Sequence, residues 1–281
     1  MIIWIASYPK SGNTWLRALL SSYFFSKNGE FNFKLLENIK SFPSPYFFEK
    51  YSDPFTEPES TSRYWIETQE KINIKKNISL LKTHNAMCKI NGNSFTNSKN
   101  SLGAIYIVRD PRNLVTSLSH HYQIKLEDAL EFMVTKNKAI IHKVDNRFLG
   151  FNALFSWQFH EESWSNCKKF PVLVIRYEDL EQKTFATFSK VINFILSISS
   201  MPGEFSRVKA IKSIQSCQFE KLQRMEKIEG FKEAVENEKT KKKLKFFNLG
   251  NKNNFRNLLS QSLIEKINKI FNKELRKYKY I

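Results

Sequence analysis

Cysteine is scarce in this chain. Cys88, Cys167 and Cys217 are odd in number, widely spaced and form no CxxC pair. That favours a reducing compartment, the cytoplasm, over a disulfide framework. Long apolar runs are missing too. The longest candidate, VINFILSI, falls far short of the roughly 20 residues a membrane-spanning helix needs. The opening MIIWIASYPK lacks a basic segment and a small-residue cleavage site, so no removable leader is expected. Acidic residues are few, 27 against 45 basic ones, which leaves a net charge of +18. A nucleic acid, a membrane surface or a small anion could each answer such a charge. The basic residues, however, run through most of the sequence among many Asn, Ile and Phe, a background bias more than a focused patch. The histidines and cysteines form no ligand cluster, and no metal is expected.

What is present is an alternation of strand and helix patterns. Four short runs, IIWIAS (2–7), ISLLKT (78–83), LGAIYIVR (102–109) and PVLVIRY (171–177), are rich in β-branched and aromatic residues. They show almost no polar alternation, as expected of strands covered on both faces. Helical spacing appears between them, in Trp15, Leu16, Leu19, Leu20, Tyr23 and Phe24, and again in Leu114, Val115, Leu118 and Tyr122. Asp110 and Pro111 supply an N-cap and a first helical residue for the second of these. The fold class is therefore α/β, a central parallel sheet flanked by helices, in a chain long enough for one large domain or two small ones. Residues 40–62, with four prolines among aromatics, read as a long loop. Residues 236–257 are strongly basic without a period; the embedded LKFFNLG leaves open a solvated connector or a flap closing on an anion. Helical spacing returns over 260–278.

The first strand runs into SYPKSGNTW at residues 7–15. Such a turn offers backbone N–H groups in a concave nest, backed by the unsatisfied amides and positive dipole end of the helix. Lys10 adds a full charge, Gly12 permits close approach, and Thr14 adds a hydroxyl. The nucleotide P-loop spacing G-x-x-x-x-G-K-[ST] is absent, because the lysine precedes the glycine. Nor does an aspartate follow an apolar strand where it would hold magnesium. A phosphate-bearing ligand and an ordinary tight turn both remain open from these residues alone. His84 follows a buried strand, at the edge where such sheets bind ligands. The other histidines, His120, His121, His142 and His160, read as ordinary polar residues.

SYPKSGNTW resembles the 5′-phosphosulfate loop, T-Y-P-K-S-G-T-T-W, of the sulfotransferases that use 3′-phosphoadenosine 5′-phosphosulfate (PAPS). In order along the chain, LLKTHNAM resembles that family's K-T-H segment and IYIVRDPRNLVTSLSHHY its 3′-phosphate segment. SWQFHEESW and VLVIRYEDL resemble its W-x-x-H-x-x-x-W helix and its Y-E-D strand end. The resemblance implies a single domain over 1–281 with a P-loop-NTPase-like sulfotransferase fold, and PAPS as co-substrate, without a metal. It implies that Lys10, Ser11, Gly12, Asn13 and Thr14 hold the sulfated end, and that Arg109 and Ser117 hold the 3′-phosphate. Trp15 and Phe219 would flank the adenine, Tyr177 would contact it, and Gly250 would lie in a flap at 236–257. His84 would act as general base, Lys10 would stabilise the leaving oxygen, and Lys82 would share the charge on the sulfuryl oxygens.

The acceptor would be a hydroxyl or amine on a small molecule, glycan or lipid, with walls from loops 40–62 and 138–151. No nucleic-acid partner is expected. The chain departs from the family at the flap, where Asn248 and Leu249 replace an Arg and a Lys. Lys245 and Arg256 are the nearby cations that could compensate. Asn13 and Asn113 also replace a usual threonine and aspartate. Competing readings are a P-loop-type kinase or NTPase, a nucleic-acid-binding protein and a ligand-binding sulfotransferase relative without catalysis.

Overall fold

The computed structural model describes residues 1–75, 77–199, 203–237 and 240–281. Positions 238 and 239, inside the expected flap, lie outside the described residues. The strands are β1 (Ile2–Ser7), β2 (Ser79–Thr83), β3 (Lys89–Ile90), β4 (Asn93–Ser94), β5 (Ser101–Val108), β6 (Ala139–Val144), β7 (Arg147–Ala153) and β8 (Val172–Arg176). The helices begin with α1 (Asn13–Phe25), α2 (Pro45–Phe48), α3 (Trp65–Asn73), α4 (Pro111–Tyr122), α5 (Leu126–Val134) and α6 (Trp157–Ser165). There follow α7 (Tyr177–Gln182), α8 (Thr184–Ser199), α9 (Arg207–Ser216), α10 (Phe219–Glu229), α11 (Phe255–Leu258), α12 (Gln261–Ile270) and α13 (Asn272–Lys277).

The central sheet has the order β2-β1-β5-β8, and each neighbouring pair is parallel. Every residue of β1 is buried, which is why its sequence carries no polar alternation. Ile3 and Ile5 face Leu16, Leu19, Leu20, Phe188 and Ile192 on the side of α1 and α8. Ile2, Trp4 and Ala6 face the other layer, with Leu114, Leu118, Trp157, Trp164 and Phe271. Each fully buried Ile, Leu or Phe side chain in these layers contributes roughly 1.5–3 kcal/mol relative to exposure. The helices after β1 and β5 thus lie on opposite faces, and the chain leaves these two adjacent strands in opposite directions. A crevice opens at their carboxyl ends, as at any such switch point.

The four expected strands match to within a residue at each end. The stretch at 138–151 differs from a plain loop: it belongs to the antiparallel hairpin of β6 and β7. Asp145 and Asn146 turn it, both with positive φ (46° and 64°), the conformation a two-residue hairpin loop requires. The 40–62 segment is anchored by the buried rings of Phe42, Phe48 and Phe55 and by a parallel bridge from Ser41 to Lys82. All three cysteines are free thiols.

Candidate active site

The floor of the crevice is the turn from β1 to α1. Lys10 (φ 67°) and Gly12 (φ 103°) both lie in the left-handed region, so the backbone curls around Ser11. Gly12 has a steric reason as well: a Cβ there would stand 2.5 Å from the Tyr177 ring. Gly12 is also the N-cap of α1, and no side chain caps that helix. By contrast Asp110, Ser156 and Ser260 cap α4, α6 and α12 through their side chains. The first-turn amides of α1 are therefore left without a side-chain acceptor and can receive an anion. Two buried donors nearby, Ser11 Oγ and Arg109 Nε, have no partner among the described residues, which also suits a phosphate oxygen.

Above this floor lies a cavity of about 660 Å³. Lys10, Gly12, Asn13, Thr14, Trp15, Lys82, His84, Arg109, Ser117, Tyr177, Phe219 and Gly250 all line it. Ser11 is the exception; it is fully buried behind the loop. Asn13 Nδ2 donates to the Ile5 carbonyl at 2.9 Å and to Ser7 Oγ at 3.1 Å, pinning the loop to β1. This is a packing role that a threonine hydroxyl would fill differently.

The cations are crowded. Lys10 Nζ donates to His121 Nδ1 at 3.4 Å and lies 4.1 Å from the centre of the Phe246 ring. Burial, then the charges of Arg109 and Lys82, pull the Lys10 ammonium from 10.5 down to about 7, against the opposing pull of Glu233. Burial likewise lowers Lys82, opposed by Glu233. Arg109, at the end of β5, donates to the Lys10 carbonyl at 2.9 Å and stacks 4.2 Å from the Tyr177 ring centre. Glu233 receives Arg17 at 2.5 Å, Thr14 at 3.0 Å and Lys82 at 3.2 Å. No sequence pattern marked this carboxylate, a lone acid in FKEAV, nor His121; only the fold brings them to the lysines.

His84 stands just past β2. Its Nδ1–H donates to the Ser7 carbonyl at 2.7 Å, which fixes the tautomer and leaves Nε2 with its lone pair. Burial first, and then the neighbouring Lys82 charge, hold its pKa well below 6.5, so the ring is neutral at ordinary pH. Helix α6 buttresses it. His160 Nε2 donates to the His84 carbonyl at 3.0 Å while its Nδ1 accepts from the Tyr106 hydroxyl at 3.0 Å. Trp164 Nε1 donates to the Asn85 carbonyl at 2.9 Å. His160 is thus a buried polar strut rather than a surface group, which its sequence position alone did not reveal.

At the opposite end Trp15 and Tyr177 meet edge to face, 5.9 Å between ring centres, and Trp15 Nε1 donates to the Cys217 carbonyl at 3.0 Å. Gly250 (φ 54°) rests on Phe219, whose ring atoms would lie 2.8–2.9 Å from any Cβ there. The flap docks on α4 through amides. Asn253 Nδ2 donates to the Asn113 carbonyl at 2.9 Å, its Oδ1 accepts from Thr116 at 2.5 Å, and Asn113 Oδ1 accepts the Phe255 amide at 2.8 Å. Asn248, Leu249, Asn251 and Asn253 line the cavity there, all neutral. Lys245 and Arg256 are exposed and lie outside the lining, so they do not stand in for the replaced flap cations in this conformation. On the other flank Ser41, Pro43, Ser44 and Pro45 face Ile140, His142 and Asn152.

Among the described residues no three His, Cys, Asp or Glu side chains converge as a metal site, and no helix there is long and apolar enough to cross a membrane.

Sulfotransferase 2A2 of Mus musculus is 26% identical over 195 residues, covering 68% of this chain and 58% of that protein. Sulfotransferase 2A1 of Mus musculus is 27% identical over the same length and shares. The chain thus spans 58% of the length of these relatives. Retinol dehydratase in complex with androsterone and inactive cofactor PAP superposes with a TM-score of 0.57 at 14% identity, over 98% of this chain and 80% of that one. Its complex with retinol and PAP gives 0.57 at 16% identity, over 98% and 81%. At such identities the likeness is one of fold: a parallel sheet with flanking helices in the P-loop-like sulfotransferase arrangement. The family model for the sulfotransferase domain matches residues 2–279, and the chain belongs to that family.

Proposed function

We propose that the chain, as a single domain, is a PAPS-dependent sulfotransferase that moves a sulfuryl group to a hydroxyl acceptor by in-line displacement. One observation carries this reading: a neutral imidazole with a free Nε2 shares a cavity with two lysines and an uncapped helix start. His84 Nε2 takes the proton of the acceptor hydroxyl as its oxygen bonds to sulfur. The bond from sulfur to the bridging oxygen breaks, and its electrons stay on the 5′-phosphate of adenosine 3′,5′-bisphosphate. Lys10 and the loop amides stabilise the charge that grows on that oxygen, more in the transition state than before it. Lys82 neutralises the sulfuryl oxygens. Ser11, Gly12, Asn13 and Thr14 form the loop that receives the 5′ end. Arg109 and Ser117 meet the 3′-phosphate, while Trp15, Tyr177, Phe219 and Gly250 enclose the adenosine.

The neighbours' complexes with PAP and with androsterone or retinol support both the co-substrate and a small alcohol as acceptor. The acceptor flank combines Pro43, Pro45 and Ile140 with Ser44, His142 and Asn152, and among the described residues the carboxylates of the cavity, Glu181, Glu220 and Glu233, are not part of that flank, which favours an uncharged hydroxyl over a protonated amine. The test is a screen of alcohols and phenols with radiolabelled PAPS, beside ATP with magnesium as donor control. For His84→Ala, turnover should fall about 10³-fold while bisphosphate affinity stays within a few-fold. Normal turnover by that variant removes His84 as the base, and transfer only from ATP removes the sulfotransferase reading.

A further inference from the structure

The carboxylate of Glu233 sits where an anionic ligand is expected. It lies between α10 and the flap, three residues beyond Gly230, whose φ of 71° puts the chain in glycine-favoured backbone space. One oxygen, Oε1, accepts from Arg17 at 2.5 Å, while Oε2 accepts from Thr14 Oγ1 at 3.0 Å and Lys82 Nζ at 3.2 Å. The two sides of this arrangement differ. Arg17 is a fixed strut, 5% exposed, whose other terminal nitrogen donates to the carbonyls of Leu36 and Ile39 at 3.3 and 3.0 Å. The side chains of Thr14 and Lys82 line the cavity beside Lys10 and His84, and their hydrogen bonds among the described residues go to Glu233.

A carboxylate oxygen and a phosphate or sulfate oxygen offer the same acceptor chemistry to a hydroxyl and an ammonium. Burial alone would raise the Glu233 carboxyl, but Lys82, Arg17 and the Thr14 hydrogen bond outweigh it and hold the group well below the usual carboxylate range. It is therefore charged whenever a nucleotide arrives, and two anions on one pair of donors repel each other.

We propose that Glu233 is a positioning residue that holds Thr14 and Lys82 in the empty enzyme and sets co-substrate affinity by competing for them. This rests on the co-substrate reading above. Binding of the sulfated end then proceeds by exchange: Thr14 and Lys82 pass to the ligand, and Glu233 keeps Arg17. The exchange reaches the flap through two neighbours of Glu233. Val235 lines the same cavity, and Phe231 packs on Phe246, the ring that covers Lys10, at 4.8 Å between centres. Release of the carboxylate therefore loosens the cover over the leaving-group lysine as the ligand enters.

The test is calorimetric titration with adenosine 3′,5′-bisphosphate at fixed pH and salt. Glu233→Gln should bind about tenfold more tightly than the wild type, because one like charge is gone, whereas Glu233→Asp should stay within about threefold. Unchanged or weaker binding by Glu233→Gln, with the wild type binding normally, overturns the proposal and leaves a structural role. A wild type that binds no bisphosphate overturns the co-substrate reading itself. If Glu233→Gln does not fold, a wild-type structure with bisphosphate decides. Thr14 Oγ1 and Lys82 Nζ should contact the ligand there; their retention by Glu233 refutes the exchange.

Discussion

The sharpest test of the site's electrostatics is a pH titration of ligand binding. Burial and the nearby Arg109 and Lys82 charges pull the Lys10 ammonium from 10.5 down to about 7. That displacement corresponds to roughly 5 kcal/mol of differential interaction between its two protonation states, an upper bound for what a bound anion can recover. A phosphate beside Lys10 restores the charged form, so binding above neutral pH takes up a proton. The sign follows directly. Below about pH 7 Lys10 is already charged in the free enzyme, and this group leaves affinity flat. Above it, affinity for adenosine 3′,5′-bisphosphate should fall about tenfold per pH unit, hence about 10²-fold between pH 7 and 9. Calorimetry in buffers of different ionisation heat should register close to one proton taken up per ligand at pH 8 to 8.5, and Lys10→Met should abolish that uptake. An unchanged slope in Lys10→Met, or no uptake in the wild type, would refute the argument. The same group makes the empty fold more stable as pH rises from about 7 towards 10.5. Over that range the unfolded chain holds a proton that the native one lacks.

Three further outcomes are expected. Gly12→Ala places a Cβ 2.5 Å from the Tyr177 ring at a φ of 103°; it should cost roughly 2 kcal/mol or more and raise the bisphosphate Kd at least tenfold, with partial rescue by Tyr177→Ala, read by denaturation and calorimetry. Trp164→Phe removes the donor to the Asn85 carbonyl; it should cost roughly 2–4 kcal/mol in urea unfolding and lower kcat by loosening the segment that presents His84. Asn248→Arg with Leu249→Lys adds two cations to the neutral flap lining; it should increase the preference for adenosine 3′,5′-bisphosphate over adenosine 5′-monophosphate by about tenfold, and an unchanged ratio would place the 3′-phosphate elsewhere.

The histidines show why a single residue type needs its surroundings before a role can be argued. His84, His120, His121 and His142 all line one cavity, yet among the described residues only His84 has a backbone carbonyl that fixes its tautomer with Nε2 free. His121 faces Lys10, and burial and that charge lower it to about 3, so it accepts the lysine proton and adds no positive charge. His120 donates to the Lys245 carbonyl at 3.1 Å and ties the flap to α4.

The sequence by itself determined the four strands of the central sheet, because a strand buried on both faces must be apolar at nearly every position, as in IIWIAS and AIYIV. It also determined the sharp turn from β1 to α1, where Lys10 and Gly12 take left-handed backbone angles within a few residues of each other. The β6–β7 hairpin has a local signal too, the Asp145-Asn146 pair at its turn. What spacing along the chain could not decide were contacts between residues 76 to 219 positions apart. The pairing of Glu233 with Thr14 and Arg17, of Lys10 with His121, and the strut from His160 to His84 depend on where the sheet order places each strand end. A lone acid or histidine carries no periodic signal, so its partner, its charge state and its role exist only once the chain has closed around it.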